Sequence, residues 1–147
     1  MAQQVPNPID IYELTRGQFR PILSAVAANQ LSSSTPCTEW TVQKLINHAL
    51  AVQQFAQDVL GGGTVNPGIM NDVDHPLPAA GAAAALDSIT AQVLETIKGL
   101  DLEAVVETPF GAMPGGQFVM VPITDMIIHT WDLAKATGQN TTLNATL

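Results

Sequence analysis

The stretch Ile123-Thr-Asp-Met-Ile-Ile-His129-Thr-Trp-Asp-Leu-Ala134 sets a carboxylate and an imidazole four residues apart in an otherwise apolar run. At 3.6 residues per turn, Asp125 and His129 project from one helix face, one turn apart. A second imidazole, His48, lies among apolar neighbours in another helical pattern. Two imidazoles and a carboxylate form a three-ligand set for a transition metal, with coordination positions left open for chemistry. Acid-x-x-x-His spacing also arises by chance, so the setting has to add weight. Asp125 is flanked by Ile123, Met126, Ile127 and Ile128, and a buried carboxylate without a partner is costly. A metal, a cationic histidine or a hydrogen-bond network would compensate it. From the residues alone two readings stand level. One is a metal site; the other is a buried Asp125–His129 pair that stabilises its own helix, with His48 an ordinary histidine at the core edge.

Other reactive side chains invite plainer readings. Asp132 shares the face of Asp125 and His129, which suits either an acceptor that orients an imidazole or a carboxylate on the helix surface. His75, in Asp72-Val-Asp-His75, belongs to a polar loop and is expected to be solvated. No basic residue flanks Cys37 to depress its pKa, so a packed loop cysteine is expected. Trp40 and Trp131 are expected to anchor helix packing rather than to stack on a ligand. No serine or cysteine triad signature is present. Gly61-Gly-Gly63 lacks the following Lys-Ser/Thr of a phosphate-cradling loop. No residue stands out as a general acid.

The elements that must position these groups read as an all-α, four-helix bundle with almost no strand. Tyr12, Phe19, Leu23 and Val26 at helical spacing predict a first helix over 9–29, starting near Asn7 or Pro8, which Pro21 should kink or split. The second, over 41–60, has Thr41 as N-cap and stops at Gly61-Gly-Gly63; Leu45, Ile46, Ala49, Val52 and Ala56 mark its buried stripe. The third is expected to start near Pro78 and run to Lys98 before Gly99. After an irregular stretch rich in Pro-Gly breakers, the fourth covers 117–137, carries Pro122 in its early turns and ends at Gly138.

A chain of 147 residues is expected to form one domain with a single core over 1–147. Five basic residues against thirteen acidic ones, a formal charge of −8, leave no basic cluster, which argues against nucleic acid and anionic membrane surfaces as partners. No apolar run is long enough to span a bilayer, the first residues show no secretory pattern, and one cysteine excludes an intrachain disulfide. A cytoplasmic location is therefore expected.

Several segments occur together in an order that resembles a known family. They are Thr35-Pro-Cys-Thr-Glu-Trp-Thr-Val42 followed by Leu45-Ile-Asn-His48, the Thr108-Pro-Phe-Gly111 and Pro114-Gly turns, and His129-Thr-Trp-Asp-Leu-Ala-Lys-Ala-Thr-Gly138. This pattern is similar to the metal-binding domain of mycothiol-dependent maleylpyruvate isomerase, within the DinB/YfiT-like superfamily, and to its subgroup of uncharacterised metal-binding proteins. The resemblance implies a four-helix bundle in which a divalent metal is held by His48, Asp125 and His129. It also implies mycothiol, or another low-molecular-weight thiol, as partner to an electrophilic substrate. Zinc leads among the metals, with nickel and iron alternatives. The isomerase has glutamate where Asp125 stands, one methylene longer. Relatives also continue past the position of Gly138, so a C-terminal extension is expected to be absent here.

The resulting expectation is a thiol-dependent transferase or isomerase whose metal activates the thiol. Its rivals are a non-catalytic bundle that binds a metal or small ligand, and a metal-free helical protein. The low-charge, apolar composition also suggests a homodimer.

Overall fold

The computed structural model describes residues 7–142. Four α-helices dominate the described residues: α1 (Pro8–Ser24), α2 (Val42–Leu60), α3 (Ala82–Lys98) and α4 (Gly115–Ala136). They pack in a ring in which α1 touches α3 and α4, and α2 touches the same two. Strands β1 (Val105–Val106) and β2 (Met113–Pro114) form a minimal antiparallel hairpin, pairing Val105 with Pro114 and Val106 with Met113. No described helix is long and apolar enough to cross a membrane.

Local chemistry explains most helix ends. Asn7 caps α1 by accepting from the Asp10 amide at 2.9 Å, and Thr41 caps α2 by accepting from the Lys44 amide at 3.4 Å. Gly138 follows α4 with φ 71°, the left-handed conformation that glycine adopts without penalty.

Two ends differ from the periodicity. The first helix stops at Ser24 rather than at 29, and Ala28–Gln30 form a separate 3-10 turn. Pro21 neither splits nor ends α1. It sits on the solvent face, where water can serve the Gly17 carbonyl that has lost its donor. One distant and one local contact secure the stop. Gln139, beyond α4, donates its side-chain amide to the Ile22 carbonyl at 3.0 Å, and the Gln30 side chain accepts from the Ala27 amide at 2.8 Å. The third helix begins at Ala82 rather than near Pro78. The Gly81 amide closes a turn on the Pro78 carbonyl at 2.8 Å, and a φ of 95° at Gly81 is incompatible with continuing a helix backwards.

The core holds Tyr12, Phe19, Phe55, Phe118, Ile123 and Leu133, each no more than 1% exposed. Side chains of this size contribute about 1.5–3 kcal/mol each when fully buried. One polar relay crosses the core. The Tyr12 hydroxyl donates to Gln53 Oε1 at 2.6 Å, and Gln53 Nε2 donates to the Pro122 carbonyl at 3.3 Å. The relay ties α1, α2 and α4 together next to Pro122, three residues before Asp125. Burial pushes the Tyr12 hydroxyl far above its ordinary pKa, so it remains a donor. Tyr12→Phe removes that donor and leaves Gln53 Oε1 buried and unpaired. We expect a loss of about 1–3 kcal/mol in urea unfolding; a variant as stable as the parent would show that the relay is not structural.

Candidate metal centre

His48 comes from the middle of α2, and Asp125, His129 and Asp132 come from one face of α4. The bundle brings the three sequence-derived ligands together, with ligand atoms all within 4.8 Å of one another. His48 Nε2 lies 2.9 Å from Asp125 Oδ1, and His129 Nε2 lies 3.3 Å from the same oxygen. The two imidazoles meet edge to face, with centroids 4.9 Å apart.

The far side of each ring decides its protonation. His48 Nδ1 sits 2.7 Å from the Met70 carbonyl, in the 3-10 turn Pro67–Asn71. A carbonyl only accepts, so Nδ1 must carry a proton. His129 Nδ1 sits 2.9 Å from Asp132 Oδ2, which again assigns the proton to Nδ1. In a neutral imidazole this leaves each Nε2 with a bare lone pair, aimed at a carboxylate oxygen that carries lone pairs of its own. Such an arrangement requires a positive charge between the groups, either added protons or a cation.

Asp125 adds to that demand. Its side chain is 19% exposed, and its Oδ2 is buried with no hydrogen-bond partner. Burial works against its charge, but hydrogen bonds from His129 and His48 and their nearby positive charge outweigh it. The carboxyl is thus held below its ordinary range. For His129, burial disfavours the cation, yet Asp125 and then Asp132 overcome this and raise its pKa. The donor set therefore fits a divalent cation. Two nitrogens and an oxygen converge, the Nδ1 of each ring is engaged by an acceptor, and Asp125 Oδ2 has no hydrogen-bond partner.

Asp132 is buried, not on the helix surface, and it does face His129. Its Oδ2 also accepts from the Cys37 thiol at 3.4 Å. Cys37, His129 and Asp132 make a second convergent trio, in which the thiol and the imidazole Nδ1 both donate to one carboxylate oxygen. Burial, then the hydrogen bond from Cys37 to Asp132, pushes the thiol up to about 11.

Cys37 is held by a hydroxyl-stapled loop. Thr35 Oγ1 accepts from the Cys37 amide at 3.1 Å and lies 2.9 Å from the carbonyls of both Cys37 and Trp40. That loop lays Trp40 over His48 with centroids 4.4 Å apart. Trp40 thus shields a site ring as well as packing. Trp131, expected to anchor the packing, is instead 39% exposed. His75 is exposed, and its ring contacts the carbonyls of Asp72 and Pro76. Composition and spacing gave no sign of the Met70 carbonyl or the Cys37–Asp132 contact, since both require loops to fold back onto the helices.

Comparison with known proteins agrees with this architecture. The model of the family described as "Mycothiol maleylpyruvate isomerase N-terminal domain" matches residues 13–134. Two proteins of Mycobacterium tuberculosis, "Uncharacterized protein MT0763" of strain CDC 1551 / Oshkosh and "Uncharacterized protein Rv0738" of strain ATCC 25618 / H37Rv, are each 31% identical over 142 residues. The match covers 96% of this chain and 73% of each relative. The crystal structure of a histidine-to-alanine mutant of the mycothiol-dependent maleylpyruvate isomerase superposes with a TM-score of 0.70 at 17% identity. That match covers 86% of this chain and 59% of the isomerase. At that identity the likeness is one of fold.

The position of Cys37 predicts a sluggish thiol. A pKa raised from 9.0 to about 11 cuts its thiolate fraction at neutral pH, and alkylation by iodoacetamide should run roughly a hundredfold slower in the native protein than in urea. Because the folded-state pKa is raised, the associated stability is present below the unfolded value and is lost as pH rises from 9.0 towards 11. Native labelling at the rate of the unfolded chain would contradict the burial of this thiol against Asp132.

Proposed function

Because this chain belongs to the mycothiol maleylpyruvate isomerase N-terminal domain family, we propose that it binds one divalent metal through His48, Asp125 and His129 and uses a low-molecular-weight thiol. The thiol, mycothiol by family relation, would be transferred to an electrophilic small molecule or would isomerise one. The observation that carries this reading is the pair of Nε2 atoms on Asp125 Oδ1, with both Nδ1 protons committed elsewhere. Zinc suits a donor set of two imidazoles and one carboxylate; nickel and iron share that preference, and cellular supply also decides.

When bound, the metal supplies a Lewis acid that lowers the pKa of a thiol so that it ionises near neutral pH. The chain's own residues do the rest. With the metal in place His48 and His129 would turn unprotonated Nε2 atoms to it, because the Met70 carbonyl and Asp132 engage each Nδ1. Asp125 contributes the negative charge. Three protein ligands leave a position open for a thiol. Trp40 covers the outer face of His48 and limits water around that ring. Cys37 stays protonated beside Asp132, so the attacking thiol is a separate molecule.

Protein purified without chelator should hold about one equivalent of divalent metal, and His48→Ala and His129→Ala should each lose it. Thiol-dependent turnover of electrophiles should fall by at least about a hundredfold in either variant, with the helical circular dichroism signal retained. Metal that binds normally but ignores added thiol would favour a non-catalytic binder. Undiminished turnover in both variants would overturn the assignment.

A further inference from the structure

Beside the three ligands lies an open cavity of about 470 Å³ between α2, α4 and the Pro67–Asn71 turn. Buried His48 and half-buried Asp125 supply its ionisable lining, and Val52, Met70 and Val121 form its walls. Its rim is the exposed outer edge of α4, with Met120 38% and Ile128 52% exposed. The remaining lining residue, Thr124, is uncharged, so Asp125 is the one charged group and no lysine or arginine lines the cavity among the described residues.

The positive charges of the chain are engaged or placed elsewhere. Arg20 pairs with Asp87 at 2.9 Å, Lys44 with Asp74 at 2.9 Å, and Lys98 with Glu13 at 3.6 Å. Arg16 lines a different cleft with Asp10 and Glu13, and Lys135 lies in the last turn of α4, seven residues beyond Ile128.

We infer that this cavity seats the electrophile, and that it selects an uncharged, apolar molecule over one bearing a carboxylate. The role given to the cavity rests on the metal-and-thiol reading above. Charge at the site supports the selection. A divalent ion, one carboxylate and two neutral imidazoles sum to a single positive charge, which a bound thiolate cancels. An anionic electrophile would then meet no cation or fork of donors along this open, apolar lining. An apolar one gains from burial against valine, isoleucine and methionine, and the flexible thioethers of Met70 and Met120 can adapt to its outline.

A matched pair of saturated probes tests this: benzylacetone, and hydrocinnamate, in which a carboxylate oxygen replaces the ketone methyl. Binding is followed by the NMR signals of the Met70 and Met120 methyl groups in the zinc-loaded protein saturated with 2-mercaptoethanol, so that the open metal position is filled by a thiolate, with zinc occupancy read separately from the His48 and His129 ring signals. Benzylacetone should move both methyl signals and bind at least about tenfold more tightly than hydrocinnamate. Ile128→Lys, at an exposed rim position, should reduce that preference to below about threefold. Equal or tighter binding of hydrocinnamate, or methyl signals that ignore benzylacetone, would overturn the inference. Failure of zinc to move the ring signals would instead count against the metal reading, and the same methyl signals would still report the cavity's preference.

Discussion

One carboxylate oxygen facing two imidazole nitrogens organises this protein. Asp125 Oδ1 receives His48 from α2 and His129 from its own helix, and each ring has its other nitrogen occupied by an acceptor. Were either Nδ1 free, the ring could turn its proton inward and satisfy Asp125 as an ordinary hydrogen bond. With both engaged, the cluster is short of positive charge, and a short buried contact between lone pairs is unfavourable in a low-dielectric interior. Two protonated rings would settle the deficit in one way and a divalent cation in another.

The scaffold around this point is built to keep it in place. Asp125 follows Pro122, whose ring denies the Phe118 carbonyl its usual helical donor. A proline in mid-helix normally loosens the turn, but here the Gln53 amide bonds to the Pro122 carbonyl and Tyr12 holds Gln53 from across the bundle. At the start of α4, the Gly116 amide bonds to the Leu102 carbonyl at 2.8 Å, and a Cβ on Gly116 would come within 3.2 Å of that oxygen. The helix that carries Asp125 and His129 is thus held before and beside the site by Gln53, itself held by Tyr12, and by Leu102.

The two sides of His129 divide the site. Its Nε2 joins the trio with His48 and Asp125, while its Nδ1 belongs to Asp132, which Cys37 also approaches. The Cys37–Asp132 contact keeps the thiol protonated and the carboxylate engaged. An apolar cavity opens on the Nε2 side, and the hydroxyl-stapled loop carrying Trp40 closes over the rings from another direction.

Periodicity and local chemistry were sufficient for the helical class, for a start of α1 near Asn7 or Pro8, for the cap at Thr41, for the Gly138 stop, and for placing Asp125 and His129 on one face. All of these depend on residues within a turn or two of each other, where backbone geometry alone sets the outcome. The end of α1 and the start of α3 were misjudged because Gln139 and a left-handed Gly81, not periodicity, decide them. The meeting of His48 with the α4 pair, the tautomer-setting Met70 carbonyl, the inward turn of Asp132 and the outward turn of Trp131 were the work of tertiary structure. Each depends on groups distant in the chain, whose approach is governed by how four apolar faces close on one another. The sequence by itself determined which side chains were available for chemistry; packing decided which of their atoms face one another, and hence where a positive charge is required.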